Sequence, residues 1–404
     1  MATISSRLTP TREILTTPSV ARLLSASLVG RLPTGMAALA ILLSVRAHDG
    51  SYTLAGALSA IYAASAAVGG PLLGRLIDRT RQPPTLIISG LISAAAFIGL
   101  AAVDPTTTPV TAMGLAAAAG AATPQLEPCL RVLWSPVLRD EHAVRVAYSL
   151  DAATQELIFV VGPLVVLATS ALADPGIGLV TAGVLGITGS LWFATAAPAR
   201  QWRGAPTTAH WAGPLRSVSL VRLLTALLFV GATIGAFTVG ITAYAEHSAA
   251  PAAAGWLIAA NAVGALAGGI AYTMLSAAGD EHRRLQLLLC ALGLGYAPLV
   301  IQLEIPAMAV LAILSGLALP PVLACSFALI GQLAPEGTIT EAHAWMITAF
   351  GAGNAAGSAL AGFAADTVSS RLALAASVAM ATVALVVAAP SFVRPKPRTK
   401  QHAQ

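Results

Sequence analysis

The chain has 404 residues, of which 56% are hydrophobic and 10% charged, against about a quarter charged in an ordinary soluble domain, so most of it cannot face water. The net charge of +5 comes from basic residues scattered among short loops, which orient helices in a bilayer and argue against a nucleic-acid partner. Cys129, Cys290 and Cys325 stand far apart in apolar segments, without the spacing of a disulfide framework or a metal site, so no metal or cofactor is expected.

In chain order, the first eighteen residues are polar and carry Arg7 and Arg12. The apolar stretch that follows is too long for a signal-peptide core, so it is expected to be a retained first span. Apolar spans fall at 20–45, 53–74, 85–103, 110–134, 146–171 and 177–197. Each is about the 20 residues that cross a bilayer as a helix. A polar stretch from Ala199 to Ser217 follows, and six further spans lie at 218–245, 252–275, 285–303, 307–333, 342–364 and 370–393. The expected division is therefore residues 1–198 as a first bundle, 199–217 as a linker, 218–393 as a second bundle and 394–404 as a basic tail.

An internal repeat supports this division. Gly69-Gly70 followed by a charged loop recurs as Gly268-Gly269 followed by Asp280-Glu281-His282-Arg283-Arg284, and the span around Pro124 matches that around Pro320-Pro321. Two six-span halves with a site between them are a recurring plan of secondary transporters. Arg and Lys crowd one side, from Arg75, Arg79 and Arg81 to the linker and the tail, while the other side has Arg46 and Arg371. That asymmetry places both termini in the cytoplasm of a multi-pass cell-membrane protein.

Between the second and third spans the chain reads Gly70-Pro71-Leu72-Leu73-Gly74-Arg75-Leu76-Ile77-Asp78-Arg79-Thr80-Arg81. This loop resembles the hallmark loop of the major facilitator superfamily, with Gly74, Asp78 and Arg79 matching by position. The resemblance implies an all-α membrane fold of twelve helices in two pseudo-symmetric six-helix bundles. It also implies a conformational latch at Gly70, Gly74, Asp78, Arg79 and Arg81, in which glycine admits a close helix crossing and the charges tie the cytoplasmic ends together. Arg81, Gln82 and Pro83 replace the family's second glycine and further basic residues. Gly162-Pro163 in the fifth span resembles the core of the helix-bend motif of the superfamily's drug and metabolite antiporters, without its flanking glycines.

Ionisable residues at lipid depth are costly and mark a pathway, a relay or a structural pair. Arg31 lies about eleven residues, roughly 16 Å, into the first span, and Glu156 lies at similar depth in the fifth, so the two are expected to pair if their helices adjoin. Glu127 and Arg131, four apart, share a helix face, and with Asp151 they form an expected second cluster nearer the cytoplasm. Asp151 and Glu156 point about 140° apart on a helix, whereas Asp151 shares its face with Gln155. Three carboxylates against two arginines leave one negative charge over, and a buried unpaired carboxylate takes up a proton. Glu156, with Asp151 second, is thus the expected proton-coupling residue. The alternative is that these charges are permanent pairs fixing helix packing. The second half offers only uncharged groups at depth, chiefly Asn261 and Asn354, as possible cavity residues, and His343 and His247 read as interface residues.

There is no G-x-x-x-x-G-K-[ST] or G-x-S-x-G motif, so ATP drive and hydrolase chemistry are not indicated. The expected function is proton-coupled export of a small drug-like or metabolite compound by a monomer. The alternative is a proton-coupled importer of a small metabolite, an anion where Arg31 and Arg131 bind it, and a non-transporting membrane sensor or enzyme ranks behind both.

Overall fold

The computed structural model describes residues 18–389 apart from 139, 173, 175, 205–211, 251–252 and 274–279. The expected tail 394–404 and part of the linker lie outside the described residues.

In the first half the helices are α1 (Pro18–Ala47), α2 (Tyr52–Arg79), α3 (Gln82–Ala102), α4 (Pro109–Ala121), α5 (Leu126–Val137), α6 (Glu141–Leu172) and α7 (Ile177–Ala194), followed by the short α8 (Ala197–Gln201). In the second they are α9 (Val218–His247), α10 (Ala253–Thr273), α11 (Glu281–Tyr296), α12 (Ile305–Gly316), α13 (Leu319–Leu333), α14 (Ile339–Thr367) and α15 (Ser370–Val387). Ten helical stretches are long and apolar enough to cross a membrane, α12 and α13 together forming one. The other two crossings are α4–α5, interrupted at Ala122–Gln125, and α14, which carries Glu341, His343 and Asn354. Twelve crossings result, with no strand among the described residues.

The break in the fourth crossing has a local cause. Pro124 has no N–H to donate and drives Thr123 away from helical geometry, so α4 ends with Thr123 N bonded to Gly120 O, and α5 restarts with Leu126 N on Pro124 O. Pro320 and Pro321 accompany the corresponding break between α12 and α13.

The repeat is visible in the packing. A Cβ at Gly69 would lie 2.1 Å from the carbonyl oxygen of Ala121, and one at Gly268 would lie 1.9 Å from that of Leu317. The residues preceding those carbonyls, Gly120 and Gly316, press in turn on Tyr62 and Asn261, each seven positions before its partner glycine. The second and fourth crossings of each half therefore meet backbone to backbone in one register, a contact that needs small residues.

Within the first half α1 packs on α6 and α7, α3 on α7, and α2 on α4. Within the second, α9 packs on α14 and α15, and α10 on α12. The halves meet through α2 against α14 and α6 against α10 and α13. The polar bonds across this seam include Ser149 Oγ to Gly269 O at 2.9 Å and Thr348 Oγ1 to Ala67 O at 2.8 Å. Both lie in the half of the molecule nearer the α2–α3 turn, hereafter the basic end.

Candidate functional site

α1, α5 and α6 bring four charged side chains together, their Cα atoms roughly 10–20 Å in from the basic end at 1.5 Å per helical residue. Arg31 Nη1 donates to Asp151 Oδ1 at 2.7 Å, and Arg31 Nη2 pairs with Glu127 Oε2 at 2.8 Å. Arg131 Nε donates to Asp151 Oδ2 at 2.8 Å, and its Nη2 also bonds Glu127. Each carboxylate thus bridges both guanidinium groups, and the four form a closed, charge-balanced ring. Gln155, one turn beyond Asp151, also accepts from Arg31.

Such burial is tolerable only because every charge is paired and bonded. Arg31, Arg131 and Asp151 are sealed, whereas the Glu127 side chain remains 16% exposed, so Glu127 is the carboxylate of the ring that water can reach. From the other half, Phe327 on α13 lies under Arg131, its ring centroid 3.5 Å from Arg131 Cζ, an attraction strengthened by the dry surroundings. Tyr148 meets the same ring edge-on at 5.9 Å. His343 on α14 is buried beside these residues, with Nδ1 on Ile339 O at 2.9 Å.

These positions revise the sequence reading. One ring joins the two expected clusters: Arg31 pairs with Asp151 and Glu127, while the side chain of Glu156, its expected partner, lies outside the described residues. The shared face of Asp151 and Gln155 is what lets one arginine hold both. Asn261 is buried, its Nδ2 held inside the second half by Ser315 Oγ at 2.9 Å and by Tyr296 and Ala312. Asn354 is half-buried, its backbone packed against Gly231 and Gly235. Gly162 allows α6 to touch Gly35 of α1, with a Cβ there 2.8 Å from the Gly35 carbonyl carbon, and Pro163 sits within a continuous α6.

At the basic end, the Asp78 carboxylate accepts from the backbone N–H of Thr340 at 3.1 Å and of Glu341 at 2.9 Å. These are first-turn donors of α14, which have no partner within their own helix and favour a negative charge. Arg75 grips the Glu341 carboxylate with two bonds, Nε at 3.0 Å and Nη2 at 2.6 Å. The cation of this contact is Arg75 and not Arg79, because Arg79 and Arg81 are exposed and make no ion pair among the described residues. Gly74 is required by distance: a Cβ there would sit 2.9 Å from Glu341 Cα. Gly70 faces the Gln125 side chain at the break between α4 and α5. Gly213 of the linker, at φ +51°, packs against the Glu341 carboxylate and Arg75.

Sequence reasoning missed Phe327 and Arg75. Phe327 gives no signal in an apolar span, but Arg75 stands one residue after Gly74, on the turn that has to touch α14.

The sequence profile of the Major Facilitator Superfamily matches residues 23–248 and again residues 223–404. Solved structures of similar fold include a bacterial homologue of the iron transporter ferroportin in an outward-facing state, with TM-score 0.75 and 14% identity over 91% of this chain and 98% of that one. The human organic anion transporter MFSD10 superposes with TM-score 0.69 at 13% identity, covering 92% and 100% of the two chains. The transporter FucP in its outward conformation gives 0.65 at 14% identity, covering 92% and 98%. At such identities the likeness is one of fold. No curated protein matches the sequence.

Proposed function

Because the chain belongs to the major facilitator superfamily, and is by family and fold a transporter, we propose that it is a secondary active exporter that exchanges a small organic compound for protons. The observation that carries this reading is the ring of Arg31, Glu127, Arg131 and Asp151, closed on itself within the first half but covered by Phe327 from the second. Parting the halves at the basic end uncovers Arg131 and hydrates the ring. An arginine that then turns to a new partner leaves a carboxylate free to bind a proton. Glu127, the exposed member, is the entry point, Asp151 is the shared acceptor, and Glu156 is a further candidate on the same helix.

The latch is the second part of the proposal. With Asp78 and Arg75 on the α14 N-terminus, the basic end is closed, and rocking about the seam alternates access. We assign this end to the cytoplasm on the distribution of Arg and Lys, with both termini and the linker 199–217 on that side, the bundle boundaries at 198 and 218, a monomer as the working unit and the cell membrane as its place. The opposite direction, import of a small anion, remains the second reading because two arginines lie in the site.

Everted vesicles separate the two. With an acidic lumen, a transported compound is expected to enter and discharge the pH gradient, whereas uptake confined to right-side-out vesicles would reverse the direction. Absence of any proton movement accompanying flux in either orientation would remove the coupling.

A further inference from the structure

A cavity of about 590 Å³ opens at the basic end between α5, α6 and α13 and the starts of α11 and α14, reaching Arg131 of the ion ring. Glu141, Asp280 and Glu281 line it at the starts of α6 and α11, its outer wall, while Arg145, one turn in, and Arg131 and Tyr148, about two turns in, form its inner wall, and Val144 and Ile339 add apolar surface. Two buried donors on the inner wall, Arg131 Nη1 and Arg145 Nε, have no acceptor among the described residues. An arginine N–H buried without an acceptor costs free energy that a ligand oxygen would recover. Arg145 lies 3.8 Å from Glu281, too far for a hydrogen bond, while Glu281 is taken at 2.9 Å by Arg284. At the rim the charge is the reverse: Asp280 is 68% exposed, and Glu141 is exposed and makes no ion pair among the described residues.

We infer that this cavity binds a small amphoteric molecule, with a carboxylate on the arginine donors and an ammonium at the Glu141–Asp280 rim. A simple anion would have to pass two carboxylates, and a simple cation would end among guanidinium groups, so each pays a repulsion the amphoteric ligand avoids. The volume lies within the range of small-molecule sites, and the apolar walls suit a short methylene chain between the two charges. The inference rests on the export reading, in which the cytoplasmic mouth receives cargo. Occupancy would also bear on the ring, because Arg131 belongs to both.

The test is calorimetric titration of the purified full chain in detergent with ω-amino acids of graded length up to 6-aminohexanoate, and with hexanoate and hexylamine as single-charge controls. At least one ω-amino acid is expected to bind about tenfold or more tightly than either control. Arg145→Gln is expected to weaken that binding about tenfold, and Glu141→Gln to weaken it while leaving hexanoate unaffected or improved, with the melting temperature of both variants near that of the wild type. Equal binding of hexanoate or hexylamine, unchanged affinity in Arg145→Gln, or no heat with any ω-amino acid at millimolar concentration overturns the inference. Binding here needs no membrane or gradient. Flux without binding therefore rejects only the cavity, and binding without flux rejects only the export reading.

Discussion

A guanidinium at lipid depth has few stable arrangements, and Arg31 shows one of them: two carboxylates and an amide oxygen around a single side chain. Removing one member of such a ring leaves its partners charged and dry. Arg31→Gln is therefore expected to lower stability by about 3–5 kcal/mol, read as a fall in melting temperature in detergent. Arg31→Gln combined with Asp151→Asn restores the balance of charge and is expected to recover part of the loss, a non-additivity that neighbours in one network produce. Strict additivity would mean that the two residues do not share a network. The sequence made the four charges legible but split them into two depths, which the long arginine side chains bridge in one ring; the face shared by Asp151 and Gln155 followed from helical period alone. What it did not carry was azimuth. That Arg31 meets Asp151 and Glu127 depends on how α1, α5 and α6 are rotated about their axes, and packing across all three sets that rotation. The bonds of Asn261 to Tyr296 and Ser315 were not legible for a related reason, since a lone amide in an apolar span reads alike whether it faces a cavity or a neighbouring helix.

The junction of α2 with α14 is where the chain is most specific at the scale of elements. A helix N-terminus presents unpaired N–H groups, and Asp78 satisfies two of them from another helix. Asp78→Asn keeps the shape and removes the charge, so the contact is expected to weaken by about 1 kcal/mol, in the range of helix-capping changes, and to raise reactivity of a thiol-specific probe at a cysteine introduced near the basic end. Gly74→Ala acts by bulk, placing a methyl 2.9 Å from Glu341 Cα. Overpacking of this kind costs about 1–3 kcal/mol, enough to move a two-state population roughly 5- to 150-fold away from the closed basic end. Unaltered probe reactivity in Gly74→Ala would mean the crossing is not part of the latch. The loop motif identified the glycine and the aspartate before any coordinates. The motif also named Arg79 and Arg81, but a linear motif records spacing and not which side of the turn faces α14, and Arg75 is the arginine on that side.

For the whole molecule, the twelve crossings and the two-fold repeat were largely legible, because apolar length, proline breaks and the glycine pairs at 69 and 268 each leave a mark in the sequence. The state of the molecule was not legible. The described bonds across the seam, from Arg75–Glu341 to Ser149–Gly269 and Thr348–Ala67, gather toward the basic end, and an arrangement closed at one end is a property of tertiary contacts that several sequences share. Spin labels at Tyr52 and Val368, exposed positions at the opposite end on α2 and just after α14, are expected to report a wide separation that shortens in Gly74→Ala. An unshifted distance distribution would disconnect the latch from alternating access. The most direct test of coupling through the ring compares wild type with Asp151→Asn in proteoliposomes, using a compound the wild type transports. The account predicts that pH-driven accumulation falls to background in Asp151→Asn while gradient-free exchange of labelled for unlabelled compound persists. Accumulation at the wild-type level in Asp151→Asn would contradict it.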